Sequence, residues 1–236
     1  MSRAPLRYAG WMARDVVAGP GAIMVAVAVL VAFVLWRMTS VPSSADDVAG
    51  LVRAIVDQAA MPFVLLATGA IISSDLTNGY YRSYFSRPIS PVAYYLQRWL
   101  LGAAAVLLFI PLVATGIALR TGTFAAPGIL FVKLGLLYLL LGGLVLLLST
   151  LTRRDWILAL VVYVFQSILH GIAQGPVPGP ALRAVHAILP PFHVASVRAP
   201  FPGTAPTIHA VLYGVGLLVA ALAVIRWRPL GSGGRA

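Results

Sequence analysis

The stretch IISSDLTNGYYRSYFSRPISPVAYYLQRW, residues 71–99, separates two long apolar runs and is itself crowded with polar chemistry. It holds one acid (Asp75), one glycine (Gly79), three arginines, two prolines and five tyrosines. A connection that only turned the chain around would need a handful of Gly and Ser. The contrast with its flanks decides the fold class. The flanks belong in an apolar medium, and the interval belongs at its boundary.

Composition agrees. Of the 236 residues 60% are hydrophobic and 10% charged, with a mean hydropathy of +0.93. A soluble domain carries about 25% charged residues, so this chain cannot cover a water-facing surface. The expectation is an all-α polytopic membrane protein. A bilayer core of about 30 Å takes roughly 20 apolar residues per spanning helix. Six segments qualify: 20–37, 56–74, 95–119, 129–150, 156–174 and 208–226. Residues 1–236 form a single transmembrane domain, with no appended soluble domain expected. The first apolar run exceeds the ~7–15 residues of a signal-peptide core, and no small-residue cleavage site follows it.

Lysine and arginine sort unevenly over alternate loops, which sets orientation. Arg3, Arg7, Arg14, Arg82, Arg87, Arg98, Arg153, Arg154, Arg226, Arg228 and Arg235 fall on one side, and Arg37, Arg53, Arg120, Lys133, Arg183 and Arg198 on the other. The richer side is expected to be cytoplasmic. That puts both termini and the 75–94 loop in the cytoplasm, with the chain expected in the cell inner (plasma) membrane. The net charge of +11 then reads as topology and attraction to anionic membrane lipids. Nucleic acid is excluded as a partner, because no basic soluble domain exists to carry it.

Residues 1–19 place Arg3, Arg7 and Arg14 on one helical face and Leu6, Ala9, Met12, Ala13, Val16 and Val17 on the other, the pattern of an interfacial helix. Asp46 or Asp47 is expected to cap the second helix. Arg53 and Asp57, four apart, can pair on its exposed turn. Pro62 and Pro111 interrupt the second and third spans and are candidate hinges. Ser90-Pro91 has the form of an N-cap followed by a first-position proline, so the third helix should start there. Between the last two spans, residues 175–207 carry too many prolines for one helix. ALRAVHAIL and FHVASVR within them are expected as two short helices, re-entrant or on the outer surface.

Chemistry is scarce. There is no cysteine and no glutamate, so thiolate chemistry, Cys-ligated metal and the H-E-x-x-H motif are excluded, and carboxylate chemistry rests on six aspartates near helix ends and in loops. No Walker A or G-x-S-x-G motif occurs. His170, His186, His193 and His209 all fall on the expected outer side, at spacings that match no metal motif. Whether they bind metal or haem stays open, and no metal is assigned. Gln166 is expected in a hydrogen bond between helices.

The loop itself supplies the functional reading. D-x-x-x-G-x-x-R-x-x-x-x-R-P-I-S, Asp75 to Ser90, resembles the first cytoplasmic loop of type-2 ABC transporter permeases, with Arg98 near the family's basic residue at the start of the next span. The six spans, the interfacial helix and the LPPFHVASVR stretch extend the resemblance over nearly the whole chain. Asp75 stands where the family usually has glutamate, Tyr80 where threonine is common, and Pro91 where a basic residue often follows. The resemblance implies a non-catalytic exporter subunit whose coupling helix, carrying Asp75, Gly79, Arg82, Tyr84, Arg87, Pro88 and Ile89, docks on a separate ATP-binding cassette ATPase. ATP and Mg would be bound by that partner, with no cofactor in this chain. It further implies a permease homodimer or heterodimer and, given spans without deep charges, a lipid-like, peptide or drug-like cargo. A stand-alone membrane enzyme or carrier, and a permease handling haem or copper, remain as alternatives.

Overall fold

Helix starts and stops follow the local chemistry closely. In the computed structural model the described residues are 10, 13–14, 21–37, 44–69, 71–72, 75, 90–152, 154–173, 179, 184–186, 188–197, 199–201 and 203–227. They form α1 (Ala22–Arg37), α2 (Ala45–Thr68), α3 (Pro91–Thr121), α4 (Gly128–Leu137), a π turn (Tyr138–Gly142), α5 (Gly143–Leu151), α6 (Asp155–Ala173), a 3-10 turn (Phe192–Ala195) and α7 (Thr204–Trp227). No strand occurs among the described residues. Five helical stretches are long and apolar enough to cross a membrane: α2, α3, the α4–π–α5 unit, α6 and α7. At 16 residues α1 is equally apolar but rises only about 24 Å, short of a span by itself. The chain therefore has the architecture of a multi-pass membrane protein.

The cap of α2 differs from expectation. Ser44, not Asp46 or Asp47, is the N-cap: its hydroxyl accepts from the Asp47 N–H at 3.1 Å and donates to the Asp47 carboxylate at 2.7 Å. The reason is reach. A residue at the third helical position offers its N–H to a cap three residues earlier, and the two acids serve better inside the first turn, against the positive end of the helix dipole. The helix also stops earlier than 74. Gly69 leaves the helix in extended conformation with its N–H still bonded to Leu65 O at 2.7 Å, and the Thr68 hydroxyl bonds back to Val64 O at 2.6 Å. As expected, Ser90 caps α3 with Pro91 in its first turn. Gly122, at φ 72°, ends α3 in the left-handed conformation that a Cβ would disfavour. Both Pro62 and Pro111 lie inside helices that continue through them.

Packing orders the helices. Val48, Val52, Val56, Ala60 and Val64 form one buried face of α2, turned to α3. There Phe63 meets the Phe109 ring edge-on at 4.4 Å. α3 also carries α1, while α5 lies between α6 and α7. The α4–π–α5 unit is the centre of the bundle: 72% of its spanning window is buried, against 17–39% for the other four. Outer faces are apolar as well, with Phe33, Leu108, Ile168, Leu212 and Val219 all exposed, which is how a lipid-facing surface reads.

Small residues set the closest approaches. A Cβ at Gly102 of α3 would sit 2.6 Å from the Tyr138 hydroxyl, and one at Gly214 of α7 2.6 Å from Leu139 Cγ. Glycine at these positions lets α3 and α7 press against the π turn from both sides. Tyr138 uses the closeness to donate to Trp99 O at 2.6 Å.

Of the expected outer helices, the described residues 184–186 and 188 of ALRAVHAIL are helical and stop before Pro190, which disfavours helical backbone in the residue preceding it. In FHVASVR, Phe192–Ala195 form one 3-10 turn. Of residues 1–19 only Gly10, Ala13 and Arg14 are described, each helical, so the interfacial helix otherwise lies outside the described residues.

Candidate functional site

At one end of the bundle, α2 and α3 are tied together where the opening stretch begins and ends. Arg98 Nη1 donates to both carboxylate oxygens of Asp75 at 3.2 Å and to Ile71 O at 3.1 Å. Asp75 is buried, and its desolvation raises the carboxyl pKa from the ordinary value. Arg98 opposes that shift, and the Tyr94 and Tyr95 hydroxyls oppose it further. A single guanidinium therefore holds the exit of α2 and the entrance of α3 at fixed separation, bracketing residues 76–89. Of the expected coupling residues only Asp75 is described. Gly79, Arg82, Tyr84, Arg87, Pro88 and Ile89 lie outside the described residues.

The opposite end is held by two clusters that sequence reasoning did not assemble. Lys133 on α4, the chain's one lysine, is buried. Its ammonium donates to Ser196 O at 2.6 Å, to Ala199 O, and to Pro200 O at 3.3 Å. Three backbone carbonyls converging on one cation solve two problems at once. The carbonyls of the proline-rich segment after the 3-10 turn gain a donor, and a buried ammonium gains the acceptors it needs. The only advance signal was a lone charge near the start of an apolar run.

The second cluster is made of imidazoles. His170 lies in the last turn of α6, His186 is helical within the described residues 184–186, and His193 sits in the 3-10 turn. The His170 and His193 rings stack with centroids 4.1 Å apart, and His186 lies 5.3 Å from each. His170 Nδ1 and His186 Nε2 are 3.1 Å apart. One ring nitrogen from each of the three lies within 4.8 Å of the others. Gln166, one turn before His170 and buried, reaches His193 Nδ1 at 3.1 Å. The expected Gln166 contact thus forms with an outer turn rather than with another spanning helix. Burial pushes the His193 imidazole down to about 4, helped by His170, His186 and His209, so it is neutral at neutral pH. His209, exposed on α7 beside Tyr213, stays outside the cluster.

Compared with known proteins, the chain matches no family model and no curated sequence.

Proposed function

We propose that the chain is the membrane-spanning, non-catalytic subunit of an ATP-driven ABC exporter. In this reading six spans form the permease, with α1 as the first, and a second permease copy completes the transport path. The observation that carries the reading is the Arg98 bridge to Asp75 and Ile71 O. A force transmitted through a loop moves the spans only if both loop ends are fixed to them. Arg98 fixes both ends of residues 76–89 at one point. A partner ATPase closing against that segment would then push α2 and α3 together rather than flex a tether. The motif resemblance of Asp75–Ser90 gives the same segment a coupling role, with Arg82 and Tyr84 facing the ATPase and Gly79 supplying the turn. Cargo of lipid-like, peptide or drug-like character fits the apolar spans.

Co-expression with ABC-type ATPase subunits of the same genome tests the assignment. One ATPase should co-purify, and ATP hydrolysis should require it. Arg82→Glu and Gly79→Val should weaken that co-purification while leaving membrane insertion intact. ATP hydrolysis by the isolated chain would overturn the assignment, as would pull-down and transport unchanged in both variants.

A further inference from the structure

The imidazole cluster has the makings of a ligand site that the permease reading does not use. We propose that His170, His186 and His193 bind one divalent transition-metal ion of the zinc and copper class, at the end of the bundle opposite Asp75. Three observations converge on it. First, the donors are of one kind. Imidazole nitrogen suits zinc, copper and nickel and is a poor ligand for calcium or magnesium. Second, the spacing fits. Two ligands at about 2.0–2.1 Å from a tetrahedral zinc stand roughly 3.3 Å apart, and His170 Nδ1 and His186 Nε2 are 3.1 Å apart. The third nitrogen lies within 4.8 Å of both, a gap that rotating the His193 ring closes. That rotation is also required, since parallel stacked rings cannot aim their in-plane lone pairs at one point. It runs about a broad terminal torsion, which holds no ring rigidly in place.

Third, a positioning group is in place. Gln166 is 1% exposed and its amide lies against His193 Nδ1, yet its Oε1 has no hydrogen-bond partner among the described residues. Turning the amide by half a revolution puts Oε1 where Nε2 stands. It then accepts from Nδ1–H and fixes the tautomer that leaves His193 Nε2 free to ligate. A metal-bound histidine almost always has such a partner on its other nitrogen.

Each ligand comes from a different piece of chain, so the ion would pin the end of α6 to the 184–186 piece and to the 3-10 turn. Three protein ligands leave a fourth position open to water or an exchanging ligand, the arrangement of sites that handle rather than merely store their metal. The three side chains are only partly buried, so an ion has a route in.

The test uses the purified full-length protein with a histidine-free affinity tag, stripped by chelator and titrated with Co2+, whose visible absorption reports a tetrahedral nitrogen site. Wild type should bind one Co2+ per chain with that absorption, and Zn2+ should displace it. His170→Ala, His186→Ala and His193→Ala should each abolish the band or weaken binding at least ~10-fold, while His209→Ala should not. Gln166→Leu should weaken binding about 10–100-fold, and Gln166→Glu, which still accepts from Nδ1–H, should restore it. Because His186 lies on an exposed segment, its variant separates ligand loss from misfolding, checked by an unchanged size-exclusion profile. No tetrahedral band in wild type, or a band surviving in His186→Ala and His193→Ala, would overturn the site. Equal loss in His209→Ala would overturn the choice of ligands.

Discussion

Arg98 and Asp75 meet at 3.2 Å across the gap between α2 and α3, and their environments are unequal: the arginine side chain is 29% exposed, the aspartate side chain 6%. Removing one partner is therefore not equivalent to removing the other. Arg98→Leu strands a buried carboxylate and frees Ile71 O, and should cost about 2–4 kcal/mol in detergent unfolding. That is somewhat below the 3–5 of a fully buried pair, because Asp75 can take up a proton. Asp75→Asn keeps an acceptor for the guanidinium and should stay within about 1 kcal/mol of wild type. Equal losses would mean that the pair is not buried as described.

The same burial makes a pH prediction. With its folded pKa raised, Asp75 holds its proton more tightly in the folded than in the unfolded chain. Its stabilising contribution is complete below the ordinary value of 3.8 and fades as the pH rises through the raised value. With six aspartates and no glutamate in the chain, carboxyl infrared bands are few enough to assign. One carboxyl should titrate above the ordinary aspartate range, vanish in Asp75→Asn, and move higher still in Arg98→Gln. Titration of all side-chain carboxyls in the ordinary range would contradict this.

Lys133 should prove indispensable to the outer segment. Lys133→Met removes a cation shared by three carbonyls and should cost about 1.5–3 kcal/mol, with faster proteolysis around residues 196–200. Lys133→Arg should not rescue it, since a planar guanidinium cannot aim one nitrogen at three convergent oxygens. Protease resistance equal to wild type in Lys133→Met would show that the segment is held by other contacts.

Gly102 and Tyr138 offer a coupled pair at the centre of the bundle. Gly102→Ala puts a methyl 2.6 Å from the Tyr138 hydroxyl, breaking its bond to Trp99 O, and should cost about 1–3 kcal/mol through overpacking. Adding Tyr138→Phe removes the clashing oxygen and should recover part of the loss, a coupling of roughly 0.5–3 kcal/mol in a double-mutant cycle. Strict additivity would place the two residues out of contact.

Five helices of spanning length were legible because membrane depth writes itself into run length, and Ser90-Pro91 because a cap is a local event. Where interactions are distant the sequence is silent. His170, His186 and His193 are separated by 16 and 7 residues, a spacing no motif encodes, and only the return of the 3-10 turn onto α6 brings them together. Lys133 finds its acceptors more than 60 residues away, and those acceptors are backbone carbonyls, which carry no residue signature. Asp75 was singled out from the loop motif, and Arg98 as a basic residue near the next span. Their pairing needed the early end of α2 at Thr68, which the apolar run to 74 concealed.

Orientation is open to a direct measurement, because the chain has no cysteine to remove first. The eleven-to-six division of basic residues puts Ser83 and Ser232 inside and Ser44 and Thr204 outside. Ser44 and Thr204 are both exposed, so cysteines there should be reachable by reagent once on the outer face. Single substitutions Ser44→Cys and Thr204→Cys should react with an impermeant maleimide in intact cells. Ser83→Cys and Ser232→Cys should react only after the membrane is opened. The same experiment bears on α1. If α1 completes a sixth span, an accessible cysteine at Ser2 should behave like one at Ser232, with both protected in intact cells. Labelling of Ser2→Cys from outside would leave α1 short of crossing and the span count at five. Labelling of Ser83→Cys in intact cells would put the Asp75–Arg98 end of the bundle outside the cell, where no ATPase could reach it.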